Sequence, residues 1–189
     1  MIYNTIDKFN TIEEFTQHNL MTKENTCCFT GHRAQKLAWG SNEADPRCVK
    51  MKENLKKEIV EAIRNGYVNF LCGLALGFDI ICAEMVLSLK KEFPHIKLIG
   101  AIPCRTQASH WNHANRQRYE NVVAQLDAAR CIYDSYIGSQ CMTERNFYMV
   151  NNSSLVIALY NGSSGGTKTT INYALSHGAT IVALDPDQE

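Results

Sequence analysis

Ser153 to Ile171, SSLVIALYNGSSGGTKTTI, constrains the fold more than any other stretch of this chain. Ser154 to Tyr160 is a near-continuous apolar run, the pattern of a strand buried on both faces of a parallel sheet. It stops at Asn161-Gly162-Ser163-Ser164-Gly165-Gly166, and a helical pattern opens at Thr167 with Ile171, Ala174 and Leu175 on its buried face. A strand, a Gly-rich turn and a helix N-terminus in that order form a ready anion site. The glycines let backbone N–H groups approach a phosphate, and the helix dipole favours negative charge there. One glycine would serve a turn that merely needs positive φ. Three glycines, two serines and a threonine at one strand end point towards phosphate, with Gly165, Gly166 and Thr167 as its core.

The remaining apolar runs repeat the strand-then-helix pattern. Strands are expected at Thr26–Thr30, Val68–Cys72, Ile96–Ile102, Ala129–Tyr133 and Thr180–Leu184. Between them lie helical patterns: about Arg47 to Asn65, closed by Gly66; one capped by Asp79 with Ile81, Met85, Val86 and Leu89 buried; one burying Tyr119, Val122, Val123 and Leu126; and Met142–Asn152. Alternation of this kind predicts an α/β fold, a mostly parallel sheet of about six strands with helices on both faces, in three layers. Residues 26–189 read as one domain and 1–25 as an N-terminal arm or short helix, with capping-box spacing at Thr11 and Glu14.

Helix-to-strand links such as Asn65-Gly66 are short, whereas the strand-to-helix loops are long or rich in polar residues. In such sheets ligands bind beyond the carboxyl ends of the strands, where the strand order reverses. Arg33 and Arg145 each follow a strand end there, and a guanidinium can grip phosphate through two parallel hydrogen bonds. His32 either orients the loop after the first strand or contacts ligand. Asp79 reads as a helix cap compatible with a ribose contact. Trp111 either stacks on a base or packs under its loop, and Gln107 is a weaker candidate of the same loop.

Lysine plus arginine balance aspartate plus glutamate at 19 each, which argues against nucleic acid as a partner, since that needs a basic face. No apolar run approaches the ~20 residues that span a bilayer, and the N-terminus is too polar for a signal peptide. No membrane partner and a cytoplasmic location are therefore expected. The eight cysteines form no Cys-x-x-Cys pair and read as packing. Cys104 with His110 and His113 lacks a fourth zinc ligand, so no metal is expected. Gly-x-Gly-x-x-Gly is absent after the first strand. The P-loop pattern fails at Thr167, where its second glycine would stand. No cofactor is required by these patterns.

Taken with their order and spacing, the loop blocks resemble the SLOG superfamily in its YpsA-like branch. They are Phe29-Thr30-Gly31-His32-Arg33; Gly73 with Gly77 and Asp79; Ile102-Pro103-Cys104-Arg105 with Gln107 and Trp111; Tyr119; Cys141-Met142 with Arg145-Asn146; and Tyr160-Asn161-Gly162 with Gly165-Gly166-Thr167. The resemblance implies a Rossmann-like fold binding a small-molecule nucleotide, such as ADP-ribose or a nucleoside phosphate. It adds Thr30, Gly31, Gly73, Gly77, Arg105, Asn146, Asn161 and Gly162 to the ligand-binding set. LOG enzymes of the same superfamily cleave ribose 5-phosphate from cytokinin nucleotides and need a glutamate three residues after the turn threonine. Here that place holds Thr170, which weighs against hydrolysis because an oxocarbenium-like transition state needs a carboxylate. The expectation is a sensor or sequestering module. The alternatives are a LOG-like N-glycosidic hydrolase drawing on Arg145, Asp79 or Glu144, and a protein-interaction module with a vestigial cleft. A homo-oligomer is left open.

Overall fold

In a computed structural model, residues 21–187 are described. The expected capping box at Thr11 and Glu14 lies outside them. Six strands form one parallel sheet: β1 (Thr26–Gly31), β2 (Asn69–Cys72), β3 (Lys97–Cys104), β4 (Ala128–Tyr133), β5 (Leu155–Leu159) and β6 (Thr180–Leu184). Their spatial order is β4-β3-β2-β1-β5-β6. The chain steps outward from β1 to β4, returns to the other side of β1 with β5, and steps outward again. The strand order therefore reverses between β1 and β5, whose register runs from Cys27 opposite Leu155 to Gly31 opposite Leu159.

Alternation along the strands builds two apolar layers. Phe29, Phe70, Leu98 and Ile157 point into one, where they meet α1 (Pro46–Arg64), α2 (Phe78–Leu89) and α3 (His113–Val123). Cys28, Leu71, Ile99 and Val156 point into the other, against α4 (Gln140–Asn151) and α5 (Gly166–Ser176). Burial on both faces explains why β1, β2 and β5 read as continuous apolar runs rather than alternating ones. Met21 is buried in the second layer, so the chain is already packed on the sheet before β1 begins.

Helix boundaries follow local chemistry. Asp45 caps α1 by accepting from the Arg47 N–H at 2.9 Å, with Pro46 at the first helical position, and the helix closes at Gly66 with φ +91°. Three expectations need correction. Leu175 is 59% exposed because the buried face of α5 is Thr170, Ile171 and Ala174, and the helical period carries Leu175 outward. Asp79 does not cap α2: Gly77 holds that position, and Phe78 through Ala83 are all buried where the helix packs on the sheet. The last helix opens at Gly166, one residue earlier than the composition suggests.

The cysteines among the described residues are all free thiols, and Cys27, Cys28, Cys72 and Cys82 are fully buried. No described helix is long and apolar enough to cross a membrane. Phe29 sits at the centre of the larger layer, its ring 6.1 Å from that of Phe70 and nearly parallel to it. Phe29→Ala should lower unfolding free energy by about 3–5 kcal/mol, read as a shift in the denaturant midpoint.

Candidate functional site

The reversal between β1 and β5 opens a crevice at the carboxyl ends of both strands, and the loops after them form its walls. A cavity of about 310 Å³ lies there, lined from β1 and its loop by Thr30, Gly31, His32, Arg33, Gln35 and Lys36. The loop after β2 and the start of α2 contribute Ala75, Leu76 and Asp79. Helix α4 contributes Met142, Arg145 and Asn146, and the start of α5 contributes Gly166 and Thr167. Thus every layer of the fold reaches this one space.

Its floor is an ion pair. Arg145 leans from α4 over the end of β2 and places Nη1 3.4 Å from Asp79 Oδ2, which belongs to α2 on the opposite face of the sheet. Both residues are buried, at 4% and 7% exposure. Gly73, just past β2, permits the crossing: a Cβ there would overlap the guanidinium and come 2.8 Å from Asp79 Oδ2. The Asp79 carboxylate also accepts from the Ala75 N–H at 3.2 Å. Burial nevertheless pushes the Asp79 carboxyl above its ordinary range, against the opposing pull of Arg145. Arg145 is poorly satisfied. Asp79 is its hydrogen-bond partner among the described residues, and its buried Nε has none.

The glycine turn forms the far wall. Gly165 has φ +138° and precedes α5 without a side-chain cap. An added Cβ on Gly166 would meet nothing within 4 Å, so the space above the helix start is open. Lys36, on a 3-10 turn at Ala34–Lys36, reaches over this wall and donates from Nζ to the Ser164 carbonyl at 2.7 Å. Beneath it, His32 is buried and lies with Nε2 2.9 Å from Asn161 Oδ1. The same Asn161 oxygen accepts from the Ser163 N–H at 3.2 Å, so His32 ties the loop after β1 to the loop after β5. His32 thus links the two loops and also lines the cavity.

A second cavity of about 540 Å³ adjoins the first and shares Arg33, Gln35, Ala75, Leu76 and Met142 with it. Its character differs. Leu37, Trp39, Ile80, Ile81 and Trp111 supply apolar surface, and Gln107, Glu43 and Arg118 supply polar groups. Arg118 bridges Glu43 and Glu84, and Lys52 donates to Glu43 at 2.6 Å, so the loop carrying Trp39 and Glu43 is held to α1, α2 and α3. Gln107 donates to the Leu74 carbonyl at 2.9 Å. Trp111 packs edge-on against Tyr119, with ring centroids 5.3 Å apart.

The sequence candidates fall into three groups. Thr30, Gly31, His32, Arg33, Asp79, Arg145, Asn146, Gly166 and Thr167 line the first cavity, and Gly77, Gln107 and Trp111 line the second. Gly73, Asn161, Gly162 and Gly165 are next to cavity-lining segments but line neither cavity. Arg105 lies outside both cavities, paired with Asp134 at 3.1 Å. Glu144 also points elsewhere. Tyr133 and Gln140 donate to its two oxygens and hold its carboxyl below the ordinary range. Thr170 is buried, its hydroxyl donating to the Gly166 carbonyl at 2.9 Å and accepting from Asn146 Nδ2 at 3.0 Å. Its side chain therefore does not reach either cavity. Lys36, Gln35 and Trp39 were not among the candidates. The length of the Gly31–Pro46 loop was their only sequence signal. Among the described residues no group of three or more His, Cys, Asp or Glu could hold a metal.

Parallel strands diverging at a switch point, with a glycine turn and a buried arginine at their carboxyl ends, define a Rossmann-like protein with its cleft at that point. A family model, YpsA, described as the YspA SLOG family, matches residues 27–188. The chain belongs to that family, as its loop blocks led one to expect, and membership fits a nucleotide-related function. A UPF0398 protein of Brevibacillus brevis is 30% identical over 139 residues, 73% of each chain. The SPbeta prophage-derived protein YoqJ of Bacillus subtilis is 32% identical over 157 residues, 76% of this chain and 92% of YoqJ.

Among solved structures, DNA processing protein A of Helicobacter pylori matches with a TM-score of 0.60 at 19% identity, over 87% of this chain and 66% of that one. Its counterpart from Streptococcus pneumoniae matches at 0.57 and 16%, over 85% and 50%. At these identities the likeness is one of fold, and this chain spans only part of both larger chains. The Helicobacter pylori structure describes a single-stranded DNA binding mode. That finding overturns the expectation that a balanced charge sets nucleic acid aside, because overall charge does not report the local charge of a cleft.

Two outcomes test the floor of the site. Gly73→Ala should destabilise the fold by about 1–3 kcal/mol through overpacking. The double variant with Arg145→Met should be less destabilised than the sum of the singles, since the clashing guanidinium is gone. For Asp79, a folded-state pKa above the unfolded one means stability is fullest below the unfolded value and falls as pH rises through the folded one. The stability of wild type relative to Asp79→Asn should therefore decline on raising pH from below the ordinary aspartate value of 3.8. A flat or rising difference in denaturation midpoints would contradict the assignment.

Proposed function

We propose that the paired cavities bind a nucleotide-derived ligand, an NAD metabolite such as ADP-ribose or a nucleoside phosphate, as a cytoplasmic sensor or sequestering module. The observation that carries the reading is Arg145: a buried guanidinium, its Nε unpartnered, lining a cavity that is also the open N-terminus of α5. A buried cation so poorly paired is costly, and an anionic group completes it. Phosphate lies against the start of α5 and Arg145, and the ribose lies towards Asp79. The base takes the lobe that carries Trp39 and Trp111. The two volumes fall in the range of small-molecule sites, ~300–1,000 Å³. No further cofactor is needed for this role.

Binding without cleavage is the favoured form. Thr170 spends its hydroxyl within α5 and on Asn146, Glu144 is engaged by Tyr133 outside the cavities, and Asp79 is paired with Arg145. A second reading draws on the fold-likeness to a protein with a single-stranded DNA binding mode. Arg33 and Lys36 are exposed at the cavity mouth, where the terminal nucleotide of a strand could enter.

Calorimetry and chromatography with ADP-ribose, NAD, adenosine monophosphate and a short single strand test these readings together. Binding without products supports the sensor, and turnover above about one per second supports a hydrolase. Silence from every ligand removes the nucleotide reading. Arg145→Ala should weaken binding by about 1.5–3 kcal/mol, the scale of a charge-assisted hydrogen bond. Gly166→Asp should abolish it while the domain still folds, because its carboxylate enters open space where the phosphate lies.

A further inference from the structure

Resting on the nucleotide reading, we infer that Lys36 is a displaceable latch over the glycine turn that selects ligands presenting a phosphoryl dianion. Its ammonium spans from the 3-10 turn after β1 to the Ser164 carbonyl after β5, across the crevice at the switch point. It lies so close to the turn that a Cβ on Gly165 would come 2.8 Å from Nζ. Gly165 is thus constrained twice, by its φ of +138° and by the lysine above it.

The latch is easily released. Lys36 is exposed, and it donates to a neutral carbonyl, an acceptor that a phosphate oxygen outcompetes because the bond then joins two opposite charges. The cavity beneath is lined by Arg33, Lys36 and Arg145 against Asp79, three positive groups and one negative with His32 counted neutral. That leaves two positive charges to be matched. Arg145, which lines the same space and whose buried Nε has no partner, is an observation independent of the helix N-terminus. A phosphomonoester carries about −1.5 to −2 near neutral pH, against about −1 for a diester, so the cavity charge suits the former. Moving from Ser164 to phosphate, Lys36 would contact the ligand from the side opposite the α5 N–H groups.

The test is calorimetry at one fixed salt concentration with adenosine 5′-monophosphate, adenosine 3′,5′-cyclic monophosphate and adenosine, on wild type, Lys36→Met and Lys168→Met. Lys168 is an exposed lysine of the first turn of α5 that lines neither cavity, so its loss changes net charge equally. Wild type should favour the monoester over the cyclic diester by about tenfold or more, on the scale of one charge-assisted hydrogen bond. Lys36→Met should bring that ratio near unity, and Lys168→Met should leave it intact. Equal affinities in wild type, or an unchanged ratio in Lys36→Met, would overturn the latch while the nucleotide reading stands. Collapse of the ratio in both variants would do the same, since general electrostatics would then explain it. No binding of any of the three would overturn the latch, and the nucleotide reading would then stand or fall with the ADP-ribose and NAD titrations. A short single strand with and without a 5′-phosphate then separates sources. Competition by the phosphorylated strand alone supports a dianion carried on a strand end. Equal competition by both strands counts against dianion selection.

Discussion

The contact between Arg145 and Asp79 ties the architecture of this protein to its cleft. It runs from a helix on one face of the sheet to a helix on the other, over the end of β2. Both groups are buried, so each must be partly compensated by the other. Removing one partner of a buried pair typically costs ~3–5 kcal/mol, whereas apolar replacement of both can be neutral. Stability alone therefore gives little reason to keep the pair. Its geometry gives another, because a 3.4 Å contact and an unpartnered Nε leave the guanidinium with capacity for a second anion.

Close backbone approaches make that contact reachable. Gly73 leaves the path for the guanidinium, and Gly31 allows Phe78 to pack directly on the end of β1, where a Cβ would overlap the ring. Gly77 brings the start of α2 within 3.1 Å of the Ala34 nitrogen, measured from the Cβ it lacks. These glycines draw α2 and its acidic Asp79 against the central strand. The cavity lies over that compression: its floor is charged and buried, and its mouth is cationic and exposed.

The two lobes divide the chemical labour. The smaller holds the charged groups and the helix start, and the larger holds tryptophans and aliphatic side chains. The charge network of Arg118, Glu43, Glu84 and Lys52 belongs to the larger lobe and fixes its roof rather than its contents. Family membership and the DNA processing protein A likeness both concern the scaffold. The local groups are this chain's own, and they differ from the LOG pattern at Thr170.

Periodicity determined much of the result. Continuous apolar runs separated by amphipathic segments specify strands buried on both faces and helices covering them, and the glycine turn after β5 was legible because few structures need that composition. Arg33, Arg145, Gly166 and Thr167 were legible from their places after strand ends. Tertiary structure alone decided three things. Asp79 gave up the helix cap for Arg145, because a partner sixty-six positions away cannot be read from spacing. Leu175 turned outward, since a one-residue shift in helix phase changes which side chains meet the sheet. Lys36 reached Ser164, and Trp39 entered the second lobe, because a loop of irregular backbone carries no period from which its direction could be inferred.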